Sequence, residues 1–374
     1  MIIGLDASRA INESAGIARY NKNLLAGLSE IDKKNQYKFL FTYVKNKKTK
    51  DTLAEKLTSG FKNKIIKVYP IPGRIKETLW GSFYPIIGSL AGKCDIWHAT
   101  SFFEASLGDN TPMVVTIHDM STFLFPSQRG ESVSKRLSIR TGKVLNRAKR
   151  VIAVSESTKK DILKFFPSIN KNKIKVIYLS PNPIFQKIES IKKEKIILTV
   201  GTIEPRKNLR RLINAYVKLP KKIINNYKLV IVGANGWNNS NIYESAKKLV
   251  KEKRIIFTSY LPDDELAVLY NKAEIFVYPS LYEGFGLPVL EAMKSGLPVI
   301  TSNISSLPEV VGKSGILVDP HKTADITASI TKLIENKKLR EKLSSDGLVR
   351  ANRFTNARLA SETLKVYKEV YEEK

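Results

Sequence analysis

Two glutamates with seven residues between them, Glu283 and Glu291, flank the stretch Glu283-Gly284-Phe285-Gly286-Leu287-Pro288-Val289-Leu290-Glu291. The residues before it, through Tyr278, read as the end of a strand. Pro288 fits the first turn of a helix, where its missing N–H costs nothing. Gly284 and Gly286 let a backbone approach a ligand closely. Unpaired N–H groups at such a helix start hold anions. Glu283 then lies in the loop and Glu291 about one turn into the helix, so both can face one gap. Carboxylates there accept hydrogen bonds from hydroxyl groups, Glu291 from a ribose diol and Glu283 from a sugar. The same spacing also fits a tight connection carrying two solvated acids.

A second strand-to-loop junction, Val200-Gly201-Thr202-Ile203-Glu204-Pro205-Arg206-Lys207-Asn208, puts two cations at a helix mouth. Cations there oppose the macrodipole. The arrangement makes sense if a phosphate normally sits between Arg206, Lys207 and the helix N–H groups. Two solvated surface cations are the plainer alternative. Val114-Val115-Thr116-Ile117 delivers His118 to a strand end, where a lone histidine is more often structural than catalytic, and Asp119 is a candidate cap for the next turn. Ser14-Ala15-Gly16 opens a helix after the first strand and is a weak anion-cradle signal. Ser155 reads as an N-cap, and capping alone explains it.

These residues need a scaffold of strands ending in loops. Short β-branched runs alternate with amphipathic stretches, the pattern of βαβ units and a parallel sheet. Strands are expected at Ile2–Leu5, Lys38–Tyr43, Ile65–Val68, Ile96–His98, Met113–Ile117, Val151–Val154 and Ile174–Ile177. A second series follows at Lys195–Val200, Lys228–Val232, Ile255–Thr258, Ile275–Tyr278, Pro298–Thr301 and Gly315–Val318. Helices are expected over Gly16–Ser29, Leu209–Val217, Glu265–Asn271, Pro288–Lys294, Ala324–Glu335 and Thr355–Glu372. Ser180-Pro181-Asn182-Pro183 resists both helix and central strand and reads as a linker. The domains expected are 1–182, with the helix 355–374, and 183–354.

The 374 residues carry a net charge of +28, split +17 before residue 185 and +11 after it. Such a balance raises nucleic acid, an anionic membrane surface or a phosphorylated substrate as partners. A composition 43% hydrophobic and 26% charged excludes wholesale disorder. One cysteine, Cys94, excludes an internal disulfide framework, and three histidines argue against a histidine-built metal site. The first residues lack the form of a signal peptide, and no run of 18 apolar residues occurs. The uncharged stretch Leu79–Gly92 reads as a half-buried helix and connector, or as an interfacial patch.

Together these segments resemble the retaining glycosyltransferases of family 4. The most specific element is the E-x7-E pair Glu283 and Glu291. It is supported by EPRKN at Glu204–Asn208, His118-Asp119, Ser155-Glu156-Ser157, Val232–Trp237 and Thr301–Gly312. The closest subgroup in appearance is the mannosyltransferase-like enzymes of bacterial polysaccharide and O-antigen assembly. The resemblance implies an α/β fold of the GT-B type: two facing Rossmann-like domains, a deep cleft between them, and a C-terminal helix that crosses back onto the front domain.

By that resemblance Arg206 and Lys207 bind the diphosphate of a nucleotide sugar, Glu291 its ribose, and the backbone at Gly286 and Leu287 approaches phosphate and sugar. Gly16 lets the first loop close over the diphosphate. Glu283 and His118 serve the transferred sugar. Thr202 departs from the pattern, since many relatives carry arginine there, which shifts the neutralisation onto Arg206 and Lys207. The chain has no Asp-x-Asp pair, so no metal and no cofactor are expected. Cations and helix N-termini then carry the leaving-group charge, a donor typically contributing about 3–4 kcal/mol. The expected donor is GDP-mannose, ahead of UDP- or dTDP-hexoses. The expected acceptor is a saccharide or lipid-linked saccharide, and the expected location is cytoplasmic, peripheral on the inner membrane face. Two alternatives stand beside this reading: an epimerase or hydrolase acting on nucleotide sugars, and a basic nucleic-acid-binding protein.

Overall fold

The computed structural model describes residues 1–12, 16–72, 75, 90–108, 110–125 and 131–373. The expected residues Ser14 and Ala15, and residues 79–89 of the stretch Leu79–Gly92, lie outside the described residues. The described chain forms two compact units, Met1–Ser180 with Thr355–Lys374, and Pro181–Phe354.

The front unit is built on a seven-stranded parallel sheet. Its strands are β1 (Ile2–Asp6), β2 (Gln36–Thr42), β3 (Lys64–Tyr69), β4 (Ile96–Ala99), β5 (Met113–Ile117), β6 (Arg150–Ala153) and β7 (Ile174–Val176). Their order is β3-β2-β1-β4-β5-β6-β7. The rear unit carries β8 (Ile196–Val200), β9 (Lys228–Val232), β10 (Ile255–Thr258), β11 (Ile275–Tyr278), β12 (Val299–Ser302) and β13 (Ile316–Val318) in the order β10-β9-β8-β11-β12-β13. Every expected strand forms, its ends moving by at most two residues. The central strands are buried along their whole length. Parallel strands covered by helices on both faces have this unbroken apolar character.

The strand order reverses between β1 and β4 in one sheet and between β8 and β11 in the other. In open α/β sheets ligands bind outside the carboxyl ends of strands at such switch points. The loops that carry the candidate residues Arg206 and Lys207, and Glu283, leave β8 and β11, which are neighbours at the rear switch point.

The helix Asn356–Glu372 returns to the front unit and lies against the helix Gly16–Ile31. Gly27 makes this possible, because a Cβ there would fall 2.2 Å from the carbonyl oxygen of Asn356. The same helix brings Tyr367 to the sheet, where its hydroxyl and Nδ1 of the buried His98 share a hydrogen bond of 2.6 Å. Helices beyond those expected include Lys47–Thr58, Glu131–Arg147, Ser240–Lys251 and Lys337–Ala351, and the last has no apolar stripe to announce it. It buries only Leu343, Gly347 and Ala351, so its inner face is one leucine and two small residues rather than an apolar stripe.

Candidate functional site

The site grows from the loops after β8 and β11. After β8 the chain makes a short 3-10 turn, Pro205–Lys207. Asn208 then adopts a left-handed conformation (φ 58°) before the helix Leu209–Val217 starts. The Nδ2 of Asn208 donates to the carbonyls of Pro279 (2.9 Å) and Pro320 (2.7 Å), which ties this turn to the loops after β11 and β13. Leu281 N donates to the carbonyl of Arg206 at 2.8 Å. The hydroxyl of Ser306 donates to the carbonyls of Glu283 and Phe285 at 2.9 and 2.6 Å, so the β12 loop braces the glutamate from behind.

Glu283 sits at the centre of this scaffold and is 7% exposed. Its Oε1 accepts from Lys207 Nζ (2.7 Å), Tyr278 Oη (2.8 Å) and Ser280 Oγ (2.6 Å). Its Oε2 accepts from Arg206 Nη1 at 3.1 Å. Burial alone pushes its carboxyl up. The charges of Arg206 and Lys207, with the bonds from Lys207 and Ser280, outweigh that and hold it at about 2. Lys207 titrates below the usual lysine range, because burial and the neighbouring Arg206 outweigh Glu283. Lys207 Nζ also donates to Tyr278 Oη at 2.7 Å. Burial, and the carboxylate beside it, push the Tyr278 phenol well up.

Arg206 is held on its other side. Its Nη2 donates to Glu204 Oε1 at 2.8 Å and its Nη1 to the carbonyl of Tyr282 at 2.8 Å, while Trp237 Nε1 donates to Glu204 Oε2 at 3.0 Å. The two cations stand just before the helix, at its mouth as expected, but they are not the solvated surface cations of the plainer alternative. They precede the helix by a 3-10 turn and are matched by two carboxylates of the same unit. The physical reason is burial, since cations so little exposed require paired counter-charge.

Glu291 is fully buried on the helix Leu287–Lys294 and accepts from Tyr270 Oη at 3.2 Å. The two glutamates are thus not a pair of solvated acids. Gly286 caps that helix at φ 116°, and a Cβ there would fall 2.8 Å from Leu307 Cδ2. Leu287 begins the helix, 7% exposed, with Pro288 behind it. Sequence reasoning gave no role to Glu204, Tyr278 or Ser280. Tyr278 closes an apolar strand and reads as core. The one available signal is a hydroxyl three and five residues before a glutamate that glycine follows.

In the front unit, His118 follows β5. Its Nε2 donates to the carbonyl of Thr100 at 2.8 Å, which fixes the tautomer and leaves Nδ1 as the acceptor. Burial pushes its pKa down to about 4. His98 lies behind it, lowered to about 3 by burial and by His118, with Thr116 Oγ1 2.9 Å from its Nε2. Thr116 also bonds Tyr20 Oη (2.9 Å), whose ring stands edge-on to His118 at 4.8 Å. Asp119 caps the next turn through Ser121 N at 2.9 Å, and Ser155 caps its helix through Thr158 N. Gly16 opens the helix Gly16–Ile31, and a Cβ there would meet nothing within 4 Å. Packing does not require glycine at that point. Among the described residues no cluster of three or more His, Cys, Asp or Glu side chains is arranged to hold a metal ion.

Residues 15–180 match the family described as Glycosyltransferase Family 4, and residues 182–348 match Glycosyl transferases group 1. An Escherichia coli protein, O-antigen chain mannosyltransferase B, is 34% identical over 284 residues, which is 73% of this chain and 74% of that protein. The chain belongs to glycosyltransferase family 4. This glycosyltransferase has the GT-B fold. Sucrose-phosphate synthase from Thermosynechococcus elongatus matches it over all of both chains with a TM-score of 0.77 and 20% identity. Anabaena HepE, solved with UDP and glucose, matches 99% of this chain and 100% of its own with a TM-score of 0.75 and 16% identity. Family membership supports group transfer over the nucleic-acid reading that the charge of the glycosyltransferase had raised. No helix among its described residues is long and apolar enough to cross a membrane.

Proposed function

We propose that this glycosyltransferase moves mannose, with retention and without a metal, from GDP-mannose to a saccharide or lipid-linked acceptor of a bacterial surface polysaccharide. The observation that carries the reading is the buried cluster of Arg206, Lys207 and Glu283 at the rear switch point, in a chain 34% identical to an O-antigen mannosyltransferase. The UDP and glucose of Anabaena HepE support a nucleotide sugar as donor class.

The donor diphosphate takes over hydrogen bonds that Arg206 and Lys207 now give to carboxylates. Two cations in a nearly dry site stabilise the charge that grows on the leaving phosphate far more than they would in water. The bond from C1 of the sugar to the phosphate oxygen breaks. The acceptor hydroxyl oxygen bonds to C1 on the same face, and its proton passes to the departing phosphate. Glu283, released from Lys207, accepts hydrogen bonds from sugar hydroxyls and is not the nucleophile. Glu291 exchanges Tyr270 for the ribose diol, the Gly286–Leu287 backbone lies along phosphate and sugar, and Gly16 leaves room for the diphosphate. His118 stays neutral at working pH and offers Nδ1 to a sugar hydroxyl. The +17 charge of the front half supports a reaction at the cytoplasmic face of the membrane, with the basic front unit meeting anionic lipid.

The deciding experiment supplies GDP-mannose, UDP-glucose and dTDP-glucose separately, each with and without a mannose-terminated acceptor. Product linkage is read by the anomeric coupling in NMR. An α-linked mannoside formed only from GDP-mannose is the expected product. Release of free mannose with acceptor present, an inverted product, or undiminished turnover in Glu283→Gln overturns the reading.

A further inference from the structure

A charged cavity lies at the amino ends of the front sheet's strands. The end of the helix Glu131–Arg147, the start of β6 and the 3-10 turn Lys171–Lys173 border an open cavity of about 510 Å³. Arg147, Lys149, Arg150 and Lys173 line it together with Asn170 and Asn172, and among the described residues no carboxylate does. Arg150 pairs with Val114 at the amino end of β5. His118 follows the other end of that strand, roughly 13 Å away at about 3.3 Å per residue. The cavity therefore lies at the opposite end of the strand from His118.

The charges in this cavity are unevenly compensated. Arg150 reaches out of it to Glu369 and Glu373 on the C-terminal helix. Among the described residues Lys173 donates to carbonyls alone, those of Leu145 (3.0 Å) and Asn146 (2.9 Å). Burial, and then repulsion from Lys149, Arg150 and Arg147, pull its titration below the usual lysine range. An anion among these groups relieves that repulsion and receives charge-assisted hydrogen bonds from guanidinium, ammonium and amide donors. The cavity admits a tetrahedral oxyanion, and its cations come from two chain segments, 147–150 and Lys173, that meet only in the folded unit.

We propose that this cavity is a phosphate-binding site, taking the phosphate group of a phosphomonoester or phosphodiester independently of the nucleotide-sugar donor. The inference does not rest on the donor assignment. Its test uses the full chain, Lys149→Glu and a control, Lys62→Glu, which makes the same charge change at an exposed position of the same unit. Lys149 is itself exposed. Calorimetry with inorganic phosphate is expected to show binding about tenfold or more weaker in Lys149→Glu, and unchanged in Lys62→Glu. Flotation with phosphatidylcholine vesicles, with and without phosphatidylglycerol, then identifies the source. A flotation loss confined to Lys149→Glu and to phosphatidylglycerol vesicles supports a lipid headgroup. Equal flotation of both variants, with phosphate affinity lost only in Lys149→Glu, supports a soluble phosphate ester. No phosphate binding, or equal weakening by both variants, overturns the proposal, because diffuse charge alone then accounts for the behaviour.

Discussion

Replacing Glu283 by glutamine removes one charge from a buried cluster and changes little else in shape. The wild-type carboxyl titrates at about 2 instead of 4.5. A displacement of that size corresponds to about 3 kcal/mol of folding stability at neutral pH. Breaking a buried ion pair from one side typically costs about 3–5 kcal/mol. Glutamine keeps an oxygen for Lys207 and Tyr278, so a loss near the lower end, about 3 kcal/mol, is expected. The sign of the pH dependence follows from the lowered pKa. The stabilisation is complete above 4.5, the unfolded value, and is lost as pH falls through about 2. By pH 3 roughly half of it or more is gone. Urea unfolding of wild type and Glu283→Gln at pH 7 and pH 3 measures the difference. Equal stability at pH 7, or a gap as wide at pH 3 as at pH 7, refutes the argument that Arg206 and Lys207 hold an ionised Glu283.

Lys207→Ala is expected to lower turnover about 100- to 1,000-fold under saturating donor, and steady-state kinetics with the best nucleotide sugar checks it. Tyr367→Phe leaves the buried Nδ1 of His98 without its hydroxyl partner, and a loss of about 1–3 kcal/mol should appear in urea melts. His118 and His98 have lowered values, so their contribution is present above about 6.5 and is lost as pH falls through about 4 and about 3. His118→Asn should therefore flatten stability against pH between 6 and 4. Gly286→Ala meets Leu307 and carries an L side chain at φ 116°, so a cost of about 1–3 kcal/mol in thermal unfolding is expected.

Much of the site was legible because its chemistry is local. The strands are short β-branched runs, and the residues that follow β8 and β11 stand out as charges, glycines and prolines at strand ends. The long helix Asn356–Glu372 announces itself by an apolar stripe. Lys337–Ala351 does not, because small residues against a neighbour leave no stripe to read. The pairing of charges was not legible either. Glu204 and Arg206 are two residues apart, but Arg206 and Glu283 are 77 apart, and only the adjacency of β8 and β11 brings them within 3.1 Å.

The amino-acid order by itself determined two parallel α/β units, their proline-marked junction, the family, and which side chains reach the strand ends. Those properties depend on period, turn chemistry and motif spacing along a few consecutive residues. Tertiary structure alone decided that Arg206 and Lys207 share their charge with Glu204 and Glu283, that Tyr278 and Ser280 belong to the cluster, and that Lys173 joins three other front-unit cations around one open cavity. Each of these depends on strand order in the sheet and on burial. Burial turns a pair that water would screen into one that fixes which groups are charged.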